Sequence, residues 1–301
     1  MATRQAERAM GKLTARKGER ILGLLSIAWL AATLVMALWV APADRPPPEG
    51  QGDLYRIMFV HVPAAWLAYL CFAVVFVASI AYLVTGRTRW DRAAASSAEI
   101  GVVFTALAIV LGSIWGRPAW GTWWTWDPRL TTTAVMLLIY IGYLAVRRLT
   151  DNPRRRARWA AVVGIIGFAD VPIVHLSVTW WRGLHQGPSV KLPSVTLAPI
   201  MSITLLVSVM AFTLLYAYFM ALRLRVGRLE ERALAERLER LRALTAPLLD
   251  FEAYPATEGL LPLQGRTWRL EAGVRSRREL LARRERDLVG LRRVAAETNA
   301  A

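Results

Sequence analysis

Apolar residues recur along the first three quarters of the chain in runs of about twenty, and short polar segments separate them. A helix of that length crosses about 30 Å of hydrocarbon, so each run is interpreted as a transmembrane helix. The fourth run lies at the lower length limit for a span. The predicted spans lie at about 21–41, 61–84, 97–115, 130–146, 160–180 and 198–221. The pattern therefore predicts an all-α membrane protein with six transmembrane helices.

The charge pattern orients these predicted spans. The 301-residue chain carries 38 Lys and Arg residues against 22 Asp and Glu residues, and most of the basic residues flank one set of span ends. Because Lys and Arg accumulate in cytoplasmic loops, six spans place both termini in the cytoplasm. Residues 1–20 are basic and lack a small-residue cleavage site, so the first run is expected to be a span rather than a removed signal peptide. Basic residues this close to the membrane make nucleic-acid binding a poor explanation of the charge.

The residues after 222 are predicted to form a helical cytoplasmic tail. Leucines and charged residues alternate over 229–244 with the spacing of an amphipathic helix, and a second charged helix is expected at about 269–296. A solvated extension is the simplest interpretation, and a docking element for a cytoplasmic partner is the open alternative. The predicted organisation is a basic N-terminus (1–20), a six-helix transmembrane domain (21–222) and the tail (223–301).

A tryptophan-rich run, WGRPAWGTWWTWDPRLT at 115–131, lies between the third and fourth spans on the predicted outer side. Tryptophan favours the membrane–water interface, but one or two residues would satisfy that preference. Five indoles together predict a platform for a broad, flat, apolar ligand with charged edges. Asp127 followed by Pro128 also matches the cap and first residue of a helix, which predicts the start of the fourth span.

The chain has three histidines, and two of them are predicted on the same outer face. His61 precedes Pro63 at the start of the second span, and His185 lies in the loop after the fifth span. Neutral imidazole is the commonest metal ligand, and two imidazoles can hold a haem iron from opposite sides. Each could instead be an ordinary interface residue. His175 lies inside the fifth span, where a hydrogen bond within the bundle is expected and a functional role is the alternative.

Three outer arginines are candidates for anion binding. Arg56, Arg117 and Arg129 carry guanidinium groups that suit carboxylates, and the two propionates of haem offer such a partner. Contact with lipid phosphate is the alternative for each. Arg129 is the least expected of them, because a cation in the first turn of a helix opposes the helix dipole.

The remaining sequence features limit the chemistry. Cys71 is the single cysteine, so the chain has no CxxCH haem-attachment motif and any bound haem is expected to be non-covalent. The chain also lacks the P-loop pattern for ATP hydrolysis and the common hydrolase motifs. Binding and presentation are therefore favoured over catalysis.

Three segments together resemble a known family: MFVHVPAAW (58–66), WGTWWTWDPRLT (120–131) and WWRGLHQGP (180–188). They are similar to the CcmC family of haem exporter proteins in cytochrome c maturation, which carry the tryptophan-rich WWD domain. The resemblance covers about residues 20–222 and leaves the tail aside. It implies that His61 and His185 are axial haem ligands. It assigns the family's tryptophan motif to Trp120, Trp123, Trp124, Trp126 and Asp127.

The resemblance also implies a cofactor and partners. Haem b would be held transiently at the periplasmic face of the bacterial inner membrane and passed to the haem chaperone CcmE. A small subunit, CcmD, and an ABC module of CcmA and CcmB would complete the system. Trp123, Trp124 and Trp126 would cover the macrocycle or form the chaperone-docking surface, with Arg56 and Arg129 near the propionates. The alternatives are a haem lyase subunit of cytochrome c synthesis and a b-type electron-transfer cytochrome; a solute permease would not explain the tryptophans.

Overall fold

A computed structural model of the chain describes residues 2–42, 51–185, 190–191, 194–195 and 197–249. The α-helices of this part are α1 (Ala2–Val35), α2 (Met58–Thr85), α3 (Thr88–Trp120), α4 (Pro128–Val146), α5 (Pro153–Gly167), α6 (Asp170–Trp180) and α7 (Pro199–Leu249). A π-helical turn, Met36–Val40, extends α1, and a 3₁₀ helix, Gly52–Ile57, precedes α2. Two-residue strands β1 (Val190–Lys191) and β2 (Ser194–Val195) pair antiparallel before α7.

The six predicted spans are confirmed. Six helical segments of the described chain are long and apolar enough to cross a membrane, and they are Lys17–Val40, Gly52–Thr85, Thr88–Trp120, Pro128–Val146, Pro153–Trp180 and Pro199–Leu241. Each of them is longer than the corresponding apolar run, because the helices continue into the residues at the ends of the runs. An even number of spans returns the chain to the side from which it started.

The boundaries of two predicted elements were wrong. The tryptophan run at 115–131 is not a single loop, because α3 continues through Trp120 and ends only where Gly121 adopts a left-handed conformation with φ of 80°. The fifth span is not one helix, because it breaks between Gly167 and Asp170. Pro172 explains the break: its ring would clash with the carbonyl group of Phe168, four residues earlier.

The core lies between α2 and α3, where small residues allow close approach. Ala64, Ala68 and Ala78 of α2 and Ala98 and Ala108 of α3 are buried within one apolar cluster. Without a hydrophobic driving force in lipid, transmembrane helices associate through this kind of close packing. The α2–α3 pair therefore forms a rigid support for the side chains at its ends.

Ion pairs join the helices at the end opposite to the tryptophan run. Arg147, at the end of α4, donates to Asp91 of α3 over 2.5 and 2.9 Å. Arg225 of α7 donates to Glu19 of α1 over 2.7 Å, and Arg223 pairs with Glu99. Glu99, which follows the start of the third predicted span, is thus held in a surface ion pair.

The chain divides into two compact units, residues 1–234 and 235–301. Helix α7 continues through residue 222 without interruption and ends at Leu249, so the predicted start of the tail coincides with no break in the helix. In the second unit the described part is the helix up to Leu249. The predicted second tail helix at 269–296 lies outside the described residues.

Candidate functional site

Asp127 organises the loop ends at one membrane face. Its Oδ1 atom accepts a hydrogen bond of 2.9 Å from the backbone N–H of Arg129, so Asp127 caps α4 with Pro128 as the first helical residue, as predicted. Its Oδ2 atom accepts from the backbone N–H groups of Leu184 and His185 over 2.7 and 3.4 Å. The Asp127 side chain is only 2% exposed. One carboxylate therefore holds the loop after α6 against the start of α4.

His61 lies in the first turn of α2, which begins at Met58, and is therefore at the helix entry as predicted. Its imidazole packs edge-to-face on Trp115, with ring centroids 5.7 Å apart. Gly112 of α3 leaves room for the imidazole, because a Cβ atom there would lie 3.0 Å from His61 Cε1. The His61 Nδ1 atom is buried and has no hydrogen-bond partner in the described part of the chain.

His185 lies in the loop after α6, next to Trp120, with ring centroids 5.1 Å apart. Burial lowers its pKa to about 4, and the positive charge of Arg129 acts in the same direction, while Asp127 opposes the shift. The imidazole is thus neutral near pH 7, and its 3.7 Å separation from Asp127 Oδ1 is not an ion pair there. The His185 Nδ1 atom is also buried and without a partner among the described residues.

The structure brings His61 and His185 to the same site. His61 is close enough to His185 to contribute to the electrostatic environment of its imidazole, and Arg129 is close to both rings. Each imidazole has an indole against it and a buried Nδ1 atom without a hydrogen-bond partner among the described residues. Two neutral imidazoles beside a cation can bind a metal centre that has anionic groups at its edge.

Two of the other tryptophans of the run, called the exposed rim below, are exposed to a large extent. Trp123 and Trp126 are 58% and 81% exposed, and the half-buried Trp124 packs edge-on against Trp126 with ring centroids 5.7 Å apart. Trp180 and Trp181, at the end of α6, are also exposed and pack against each other. Large exposed aromatic side chains of this kind are typical of binding surfaces.

The structure separates the three candidate arginines. Arg129 lies beside both histidines; its Nη2 atom donates 2.8 Å to the carbonyl group of His175 and its Nε atom is buried without a partner in the described chain. Arg56 instead pairs with Asp53 over 2.8 Å and donates to the carbonyl group of Ala41 over 2.9 Å. Its guanidinium group thus joins the 3₁₀ helix to the end of the first span.

Arg117 also makes a local contact. Its guanidinium group donates to the carbonyl group of Gly121 at the end of α3, and the side chain is exposed. Of the three arginines, Arg129 is therefore the one that lies beside both histidines.

The prediction that His175 forms a hydrogen bond inside the bundle was wrong. His175 is exposed on α6 and packs edge-on against Tyr69, with ring centroids 6.2 Å apart. Asp170, at the start of α6, is buried instead, and its Oδ2 atom has no hydrogen-bond partner among the described residues. The break between α5 and α6 thus buries the acid and exposes the histidine.

Comparison with known proteins places the chain in a family. A family model described as "Heme exporter protein C" matches residues 3–239. The chain belongs to the heme exporter protein C family. It is 39% identical over 231 residues to heme exporter protein C of Bradyrhizobium diazoefficiens, a match covering 75% of this chain and 86% of that protein. It is 41% identical over 207 residues to heme exporter protein C of Escherichia coli K12, covering 66% and 82%.

A third relative is heme exporter protein C of Paracoccus denitrificans, which is 34% identical over 214 residues and matched over 70% of this chain and 87% of its own length. Membership of the heme exporter protein C family and six apolar helices identify a multi-pass membrane protein of cytochrome c maturation. The family match ends at residue 239 and leaves the last part of the tail outside it.

Sequence reasoning missed three residues that contact the site in this member of the heme exporter protein C family. Trp115 packs on His61 and donates 2.6 Å to the side chain of Gln51, and its place in the tryptophan run could have revealed it. Gly112 and Gly183 leave room for His61 and Asp127, respectively. A glycine carries no such signal in a single sequence, because the neighbour that fills its space is distant along the chain.

Proposed function

We propose that the protein binds haem at the periplasmic face of the bacterial inner membrane and delivers it to the haem chaperone CcmE. The observation that carries this proposal is the proximity of His61 and His185, each with an indole against its ring and a buried Nδ1 atom without a hydrogen-bond partner in the described part of the chain. Two neutral imidazoles provide axial ligands for a haem iron. Haem as the bound molecule is also consistent with the name of the relatives, heme exporter protein C.

Arg129 is the proposed partner of the haem propionates. It lies beside both imidazoles, its guanidinium group retains a buried N–H without a partner in the described chain, and α6 holds it through the carbonyl group of His175. A guanidinium group can bind a carboxylate through two parallel hydrogen bonds. Arg56, whose donors are directed at Asp53 and at backbone carbonyl groups, is a weaker candidate for this role.

Release to a partner is supported by the exposed rim. Trp123 and Trp126 expose most of their surface, so a chaperone could reach the haem edge without unfolding the site. Non-covalent binding agrees with a transient cargo, since the only cysteine, Cys71, is buried within α2. The small subunit CcmD and the ABC module of CcmA and CcmB would act with the protein in this handover.

The periplasmic location rests on charge. The site lies at the start of α4, whereas Arg147 and Arg148 follow its other end. The positive-inside rule places that basic end, both termini and the tail in the cytoplasm. A b-type electron-transfer cytochrome is disfavoured, because such a haem requires histidines on facing helices in the bundle and His175 is exposed.

The proposal is tested by optical spectra of the detergent-purified protein supplied with haem. Wild type and His175→Ala should both show bis-histidine bands, while His61→Ala and His185→Ala should lose them. Bands that survive both of these substitutions and disappear with His175→Ala would place the haem elsewhere and overturn the assignment.

Delivery is tested by adding purified haem chaperone to each loaded variant. Covalent haem on the chaperone should form with wild type and fall in His61→Ala and His185→Ala, while His175→Ala serves as the control. No haem in any sample, with or without the chaperone, would overturn the proposal.

A further inference from the structure

We propose that Asp127 acts as a positioning residue for His185, through the backbone of the loop after α6, and that Gly183 is required to make the space for this contact. The inference rests on the proposed haem site for its functional meaning. Its structural basis is the carboxylate of Asp127, which joins two segments 57 residues apart in sequence.

Both oxygens of the Asp127 carboxylate accept hydrogen bonds from the backbone. Oδ1 accepts from the N–H of Arg129 and caps α4, while Oδ2 accepts from the N–H of Leu184 over 2.7 Å and, more weakly, from His185 over 3.4 Å. The side chain is almost fully buried beneath the loop. A carboxylate committed to backbone donors in this way fixes the loop and does not need to touch the haem.

The close approach requires a glycine. A Cβ atom built on Gly183 would lie 1.9 Å from Asp127 Oδ2 and 2.9 Å from its Cγ atom. Neither atom can move easily, because the carboxylate is held by the cap of α4 and by the loop amides. A methyl group at position 183 must therefore displace either the carboxylate or the backbone that carries His185.

The contact between Asp127 and the loop restrains the position of His185, the proposed iron ligand. His185 follows Leu184 immediately, and Leu184 makes the shortest hydrogen bond of the loop with Asp127. An axial ligand must hold its nitrogen within a few tenths of an ångström of the productive position. The Asp127 carboxylate supplies this restraint where the loop has left α6 and has no helix to support it.

The substitutions Gly183→Ala and Asp127→Ser test the contact separately. Serine is as good a helix cap as aspartate, so Asp127→Ser keeps the start of α4 and removes the oxygen that holds the loop. Gly142→Ala is the matched control, because a Cβ atom there meets nothing within 4 Å. All variants are made in the full chain.

Hydrogen exchange of the haem-free protein gives a readout that does not depend on haem. The amides of Leu184 and His185 should exchange roughly ten- to a hundredfold faster in Asp127→Ser and in Gly183→Ala than in wild type, as expected for loss of a hydrogen bond to a charged group. Gly142→Ala should match wild type. Unchanged exchange at these amides would overturn the proposed contact, whatever the protein binds.

The haem-loaded protein tests the positioning role. Both loop variants should lose the six-coordinate spectrum, and added imidazole should restore it by replacing the displaced ligand. The double variant should lose less than the sum of the two single variants, because Asp127→Ser removes the oxygen that the new methyl group approaches most closely. Additive losses, or no rescue by imidazole, would overturn the role of Asp127. Loss of haem from wild type as well would instead refute the proposed function and leave the exchange result standing.

Discussion

At the scale of single residues, His185 shows how burial sets the chemistry of a side chain. Burial is the largest cause of its lowered pKa of about 4, and the nearby Arg129 adds to it, so that Asp127 at 3.7 Å does not retain a proton on the ring. A neutral imidazole keeps a lone pair for a metal, whereas a protonated one repels it. The environment of His185 thus suits ligand binding near neutral pH.

A pH dependence of stability follows from this pKa. Between pH 6.5 and about 4 the unfolded chain binds a proton at His185 that the folded chain does not, so stability falls as the pH is lowered through this range. One such proton contributes a slope of up to about 1.4 kcal/mol per pH unit. As the pH is lowered through this range, the thermal unfolding midpoint of haem-free wild type should fall more steeply than that of His185→Asn. Equal slopes in the two proteins would contradict the lowered pKa.

At the scale of elements, α2 and α3 pack closely because small residues face each other. Gly101 of α3 has Phe72 and Cys71 of α2 against it: an added Cβ atom would lie 2.6 Å from Phe72 Cε1 and 2.9 Å from Cys71 Cβ. Ser97, one turn away, donates 2.8 Å to the carbonyl group of Cys71. Close packing and one interhelical hydrogen bond thus fix the relative position of the two helices.

Gly101→Ala should disturb this contact. The methyl group must push apart two helices that are packed without space, and such overpacking costs about 1–3 kcal/mol. Gly142→Ala again serves as the control, because its site on α4 is open and alanine favours helix. The thermal unfolding midpoint of detergent-purified Gly101→Ala should therefore fall below that of wild type. The midpoint of Gly142→Ala should stay the same or rise. Equal midpoints would show that α2 can move away freely.

At the scale of the whole molecule, the two ends of the bundle differ in chemistry. One end carries the histidines and tryptophans, and the other carries Arg147, which forms a bidentate pair with Asp91. The side chains of this pair are only 14% and 15% exposed. The pair joins the end of α4 to the start of α3, so the basic end that predicts the topology also holds the helices together.

Asp91→Asn should therefore destabilise the bundle. Removing the carboxylate leaves Arg147 largely buried without its charge partner, a loss of up to about 3 kcal/mol, at the low end of the range for buried pairs. Asp53→Asn makes the same chemical change in the Asp53–Arg56 pair, where Asp53 is 76% exposed, and should cost less than about 1 kcal/mol. Chemical unfolding in detergent compares the two. A larger effect at Asp53 would refute the importance of the Arg147 pair.

Much of this protein is determined by the sequence alone, because the signals are local. Runs of about twenty apolar residues predict the six spans, and the sequence Asp127-Pro128 predicts the start of α4, since span length and helix capping depend on neighbours along the chain. The candidate histidines and tryptophans are visible for the same reason. The pairing of His61 with His185 stays a proposal, although the structure brings them together.

The tertiary structure alone decided the features that depend on distant contacts. It divided the fifth span at Gly167, placed Arg129 beside both histidines while Arg56 turned to its own loop, and exposed His175. It also joined Asp127 to Leu184 across 57 residues. No local sequence pattern predicts these features, because each is stabilised by contacts with residues that are distant along the chain and meet only in the folded protein.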